Sequence, residues 1–346
     1  MNFLEIKWNK SVSIATYELP VMVSRVDMFL APMMNLASLT FCSENLRSRI
    51  MFIQRMPLAT VKTVSVSVED SLANAVNDGD SKKLRALLSN PAVDVNAMDA
   101  DGCTALMCAV KAGEWDAVDI LLADGRVDVN IKDCAGWTAL MYAAVSEEDF
   151  FENFLDGLDE RGVDFDLNLT NDENQSALIL AARKSGGGDV RLLLGRGADV
   201  NIVDKSGSNA LMHYIKSNGD DVDAGVVQWF VENNVDVSCQ DIHGHTALML
   251  LSGQFGRDAK KVFLENEMVL HNIDAVDGRG STALMHAVVD MDYDYFELLV
   301  DAGADVNVQV NGAWSARSLA QVNQYHEFVK LIDSVNDGRN RLSDID

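Results

Sequence analysis

The chain has 346 residues, 48% of them hydrophobic and 23% charged, with a formal net charge of −25. That much apolar content beside 23 glycines excludes a disordered acidic tail. So large a negative charge also disfavours phosphate backbones and anionic lipid as main ligands, because like charges repel within a Debye length.

The first 68 residues differ from the rest. They hold no glycine, seven of the fifteen methionines, three of the four prolines, and a net charge of +3 against −28 for residues 69–346. Glu5, Lys7 and Lys10 interrupt any apolar run near the start, so no targeting segment is expected. Residues 28–43 are uncharged but contain Pro32 and Asn35, and the run is shorter than the roughly 18–20 residues a spanning helix needs. Residues 46–55 read as helical and 61–68 alternate like a strand, but no pattern persists. The expectation for 1–68 is an irregular extension or an over-extended gene model, with Met51 or Met56 as the start.

From residue 69 the chain is periodic. Ala-Leu-Met follows Thr104, Thr138, Asn209, Thr246 and Thr282, and Ser176 opens the variant Ala-Leu-Ile, at intervals of 34, 38, 33, 37 and 36 residues. In the type unit, Asp99 and Gly102 bracket a turn. Thr104 then caps a short helix that ends at Gly113. A second helix over 114–123 carries Val118, Leu121 and Leu122 on one stripe, and Gly125 is expected as its left-handed stop. Asp128-Val129-Asn130 leads into the next turn at Asp133. Later turns are expected at 171–174, 204–207, 241–244 and 277–280, helix stops at Gly162, Gly197, Asn234 and Gly303, and an enlarged helix and loop over 147–166. Two helices of about ten residues cannot bury such a stripe alone, whereas stacked neighbours can.

Period, turn, cap, paired apolar residues and terminal Asp-Val-Asn together resemble the ankyrin repeat over residues 69–333. The resemblance implies an all-α ankyrin-repeat solenoid of stacked helix-turn-helix units joined by β-turn or hairpin loops. Its parts would be an N-terminal cap over 69–98, six internal repeats over 99–308 and a C-terminal cap over 309–333, with 334–346 a disordered tail. Two departures are systematic: the family's Thr-Pro-Leu-His becomes Thr-Ala-Leu-Met, which removes the Pro favoured at the first helical position. It also replaces the His that ties adjacent turns by Met107, Met141, Met212, Met249, Met285 or Ile179, a softer apolar contact. His213 and His286 lie one position later and are not expected to restore the tie.

Five cysteines, Cys42, Cys103, Cys108, Cys134 and Cys239, without a Cys-x-x-Cys spacing, fit reduced thiols in a cytoplasm. No nucleophile elbow, His-Glu-x-x-His run or phosphate loop is present, so catalysis and cofactors are not expected. Asp290, Asp292, Asp294 and Asp301 imitate calcium-loop spacing, but Tyr295 stands where that loop needs Gly, and they read as an acidic helix start. His243 and His245 read as a contact pair, since no third His or Cys lies near them in sequence, so no metal is expected. Candidate binding residues are the turn tips and first-helix ends that match the family's binding surface. Among them are Trp137, Gln175, Arg183, Lys184, Lys205, Lys216, Ile242, His243, His245 and Arg279, with Trp137 and Ile242 exposed and the four central basic residues clustered. The function expected is a cytoplasmic protein-binding scaffold, monomeric, with an unidentified protein partner and neither nucleic acid nor membrane as ligand. It would work in its own cell or be delivered into another. The alternative is an acidic inhibitor that covers a basic surface.

Overall fold

The computed structural model of the protein describes residues 71–184, 187–253, 256–310 and 314–343. The expectations for residues 1–68 lie outside this set. Among the described residues are 17 helices and no strand, only isolated antiparallel bridges such as Met98–Thr104 and Val203–Asn209 at the necks of the turns.

The helices pair in chain order. The N-terminal cap contributes α1 (Leu72–Asn77) and α2 (Ser81–Leu88), and the first unit α3 (Ala105–Ala112) and α4 (Trp115–Leu122). The second unit follows with α5 (Ala139–Ala144) and α6 (Glu148–Arg161), the third with α7 (Ala177–Ala182) and α8 (Gly188–Gly195), and the fourth with α9 (Ala210–Asn218) and α10 (Ala224–Glu232). The fifth has α11 (Ala247–Leu250), α12 (Arg257–Leu264) and an extra short helix, α13 (Glu267–His271). The sixth has α14 (Ala283–Val289) and α15 (Tyr293–Asp301), and the C-terminal cap α16 (Ala316–Val322) and α17 (His326–Ser343). The last helix, α17, continues to Ser343.

Each first helix starts where its cap lies. The side chains of Thr104, Thr138, Ser176, Asn209, Thr246 and Thr282 accept the N–H of the residue three later, the Met or Ile of the motif. Gly113, Gly162, Gly197, Asn234 and Gly303 take the expected left-handed conformation. Gly125 does not: α4 ends at Ala123 in ordinary helical geometry, so no left-handed residue is needed there.

First helices stack on first helices and second on second down the array. Ala109, Ala143, Ala144, Ala182 and Ala287 are fully buried, which lets neighbouring first helices approach closely. The motif methionines are buried between them. The outer layer is larger, with Leu121, Phe151, Phe154, Leu193, Phe230, Phe263 and Phe296 fully enclosed.

The Asp-Val-Asn segments explain themselves. The Asp carboxylate accepts the N–H two residues on at 2.8–3.0 Å, closing its own loop. The Val is buried. The Asn reaches the next unit: Asn96, Asn130 and Asn201 donate to the carbonyls of Arg126, Asp164 and Asn234 and accept from the N–H groups of Asp128, Asp166 and Asp236. Ser238 breaks this series, its hydroxyl turning back on Asp236.

One buried ion pair joins the last two internal units. Lys260 on α12, 3% exposed, pairs with Asp292, which also caps α15. Its ammonium donates to the Gly253 carbonyl at 2.8 Å and lies 4.9 Å from the Tyr295 ring centroid. Replacing Lys260 by Ala leaves that carboxylate buried without its cation and should cost about 3–5 kcal/mol. The loss should be smaller for the Lys260→Ala, Asp292→Ala double variant than the sum of the two single variants, measured by denaturant titration.

Because contacts run only between neighbours, damage should stay local. Overpacking with Ala143→Leu should cost about 1–3 kcal/mol, with hydrogen exchange accelerating in the first three units while the fifth and sixth keep their protection. Uniform acceleration along the array would contradict this.

Candidate interaction surface

Each turn is organised by one side chain. The Oδ1 atoms of Asp99, Asp133, Asn171, Asp204, Asp241 and Asp277 accept the N–H groups two and four residues later, all at 2.8–3.1 Å. The second carboxylate oxygen is then free to look toward the first helix. Cys108, Tyr142, His213 and His286, each nine residues after its turn Asp, reach back to that oxygen, the two imidazole contacts at 2.8 and 2.9 Å.

This corrects the expectation for the two histidines. They do not replace the family's His at its own position, yet they re-create a turn-to-helix tie from one residue further on. In the fifth unit Leu250 occupies this place and offers no hydrogen bond. There the second oxygen of Asp241 takes Lys216 of the preceding unit at 3.0 Å and faces His245 Nδ1 at 3.5 Å.

Turn tips are also joined along the array. The N–H groups of Cys134, Asp172, Lys205, Ile242 and Gly278 donate to the carbonyls of Asp101, Ala135, Glu173, Ser206 and His243, one bond per junction at 2.7–3.2 Å. Gly244 sits at the tightest junction, with φ +81°, where a β-carbon would stand 2.4 Å from the Gly278 nitrogen. The tips therefore form a hydrogen-bonded edge, and their side chains stand at set intervals.

The sequence-derived candidates fall on this edge unequally. Ile242 is 70% exposed, the most exposed large apolar side chain among the described residues. Trp137, expected to be free, is half-buried and packs on Tyr142 with ring centroids 5.0 Å apart. Arg183, Lys205, Lys216, His243 and Arg279 are exposed, while Gln175, Lys184 and His245 are half-buried.

The central basic cluster is largely neutralised. Lys184 pairs with Asp189 at 2.7 Å, Lys205 with Glu173 at 3.5 Å and Lys216 with Asp241 at 3.0 Å. Only Arg183 of the four lacks an ion pair among the described residues. Exposed Val145 and Val289, at the ends of α5 and α14, add apolar area on the first-helix side.

His245 is the second correction. Its ring lies 5.6 Å from that of His243, as the sequence suggests, but also 5.4 Å from that of His286 of the next unit, which lies 41 positions on in the chain. The i+9 tie was legible only as a polar residue following the motif. The cross-unit triad needed the stacking register.

Three titrating groups near the turns have shifts with a clear cause. For Asp204, burial raises the pKa, but hydrogen bonds from Ser206, His213 and the Ser208 amide outweigh it and hold the carboxyl below its ordinary value. Burial pushes the His213 imidazole down, opposed by Asp204 and assisted by Arg183 and Lys216. Cys108 is pushed up to about 11 by burial and by Asp99.

Models of ankyrin repeats match the chain at residues 72–164 and 221–310, and a second such model matches 158–215. The chain belongs to the ankyrin-repeat family. It is 31% identical over 125 residues to ankyrin repeat protein OPG189 of Variola virus, a match over 34% of this chain and 21% of that protein, so it spans about a fifth of that relative's length. The ankyrin repeat domain of Bcl-3, a member of the IkappaB family, superimposes with a TM-score of 0.54 at 23% identity, covering 66% of this chain and 97% of that one. The ankyrin repeat protein EF0377 gives a TM-score of 0.46 at 28% identity over 53% of this chain and 89% of its own. No helix among the described residues is long and apolar enough to cross a membrane.

A depressed imidazole pKa means that the folded state prefers neutral His213. Its contribution to stability is complete above the unfolded value of roughly 6.5 and is lost as pH falls through it. Asp204, also depressed, contributes above roughly pH 4 and loses that contribution on further acidification. His213→Gln, which keeps a hydrogen-bond donor but cannot charge, should therefore flatten the fall in stability between pH 7 and pH 5, measured by denaturant midpoints across that range.

Proposed function

We propose that the chain is a non-enzymatic scaffold that binds a protein partner along its turn tips and first helices. Ankyrin repeats generally mediate protein–protein interaction, and the observation that carries the reading here is the hydrogen-bonded tip edge. It holds Ile242, 70% exposed, in place between flanking polar tips without a folding cost on binding. An exposed apolar anchor with a polar rim is the arrangement that concentrates binding energy. With Lys184, Lys205 and Lys216 paired to carboxylates, recognition rests on shape and apolar contact at the fourth to sixth tips, with Arg183 and Arg279 as the cations left to a partner. The scaffold acts in the cytoplasm, either of its own cell or, as the likeness to a poxvirus protein suggests, of a host.

A second reading is favoured by charge alone: the −28 carried by residues 69–346 would let the array cover a basic surface as an inhibitor. Salt separates the two. A groove binder anchored at Ile242 should lose at least tenfold in affinity on Ile242→Asp and respond weakly to ionic strength. An inhibitor acting through the acidic faces should tolerate that change and weaken steeply between 50 and 300 mM salt, values chosen to span roughly a twofold change in Debye length. Partners purified from the native cell with the wild-type chain, then titrated against the variant, provide both measurements. Ile242→Asp without effect, together with strong salt dependence, would transfer the assignment to the second reading.

A further inference from the structure

We infer that His245, Asp277 and His286 form a binding site for a single transition-metal dication of the zinc class, bridging the fifth and sixth units. The three offer one ligand atom each, two imidazole nitrogens and a carboxylate oxygen, all within 4.8 Å of one another. His286 Nε2 already lies 2.9 Å from Asp277 Oδ2, and His245 Nε2 lies 3.8 Å from the same oxygen. A tetrahedral ion with ligand bonds of about 2.0–2.1 Å needs donors about 3.3 Å apart. The set is thus close to its closed dimensions, and His245, with a side chain 29% exposed, is the member with room to move.

Three independent features support a site over a chance meeting. Asp277 is 1% exposed and rigid, because its other oxygen is engaged by the Arg279 and Ser281 amides, so its Oδ2 is presented in a fixed direction. The far nitrogen of His245, Nδ1, faces Asp241 Oδ2 at 3.5 Å. That places a carboxylate behind a ligating imidazole, the outer arrangement that holds the ring tautomer with the opposite nitrogen open to metal.

The fourth unit, in addition, supplies an internal contrast. His213 and Asp204 repeat the His286–Asp277 contact at 2.8 Å, but the position equivalent to His245 in the turn before is Gln175, so the same tie exists there without a second imidazole. Two neutral imidazoles and one carboxylate suit zinc, cobalt or nickel ahead of magnesium or calcium, which prefer all-oxygen sets. A strongly negative chain also raises the local concentration of cations. Three protein donors leave the fourth coordination position to water or to a partner's donor group.

The test is zinc and cobalt titration of the full, metal-free chain. The wild-type protein should bind one equivalent of zinc by calorimetry, raise its thermal midpoint in zinc, and give with cobalt the visible absorption of a four-coordinate ion. His245→Gln, His286→Gln and Asp277→Asn should each weaken binding at least tenfold. The last keeps the turn, since Asn171 performs the same backbone role in the third unit. His213→Gln should leave binding unchanged. Absence of a saturable equivalent, or affinity retained in the His245 and His286 variants through the cysteines, would overturn the assignment.

Discussion

The array depends on the two oxygens of one carboxylate, present at five of the six internal turns, with Asn171 closing the third through its single oxygen. One oxygen closes the turn by accepting two backbone amides, which fixes the tip so that its peptide groups can pair with the tips on either side. The other, in the first, second, fourth and sixth units, takes the donor that the first helix supplies nine residues on. Thiol, phenol and imidazole all serve. This division of labour explains how the chain tolerates loss of the histidine that the family uses at the motif's fourth place. The methionine there is free to pack between first helices because the polar tie has moved one residue along and back to the turn.

The fold was legible from spacing alone because each repeat carries its own start, stop and buried stripe, and all three signals are local. Thr104 caps because a hydroxyl precedes an Ala-Leu-Met run, and Gly113 stops because only φ above zero closes that turn. Failures came where local signals met a neighbour. Gly125 resembles a left-handed stop, but the loop after α4 is drawn off by Arg126, whose guanidinium reaches the carbonyls of Leu88 and Val93 in the preceding unit. Trp137 occupies a tip position in sequence, yet Tyr142 rises from the helix below to meet it. The continuation of α17 past Asp333 follows from a helix with Phe328 and Ile332 on its buried face and no residue in 334–343 that forces an end before Gly338.

Charge shows the same contrast between composition and geometry. Sequence position clusters Arg183, Lys184, Lys205 and Lys216 at the centre, but position alone cannot show which carboxylate each one meets. Lys205 and Lys216 meet acids of adjacent units, so they hold the stack in register while contributing little net field to the groove. The exposed Lys205–Glu173 pair is worth at most about 1 kcal/mol. The effect of the pairs on specificity is to remove three of the four central cations, Arg183 excepted, from what a partner can pair with.

The fifth unit stands apart because several regularities lapse in it together. Leu250 supplies no tie to the turn Asp, Ser238 before it omits the Asn bridge, and α11 is shortened to Ala247–Leu250. What replaces them is polar and crosses to neighbours: Lys216 from the fourth unit, Lys260 with Asp292 of the sixth, and His245 beside Asp277 and His286. Apolar stacking is tolerant of small displacements, whereas hydrogen bonds and ion pairs are directional. In the fifth unit these directional contacts add to the apolar stack of Leu248, Met249, Leu251 and Phe263 in setting its orientation. Those contacts tie the fifth unit to both neighbours, the fourth through Lys216 and the sixth through Lys260, so the tips that carry Ile242 and Arg279 belong to units joined by polar groups as well as by apolar stacking.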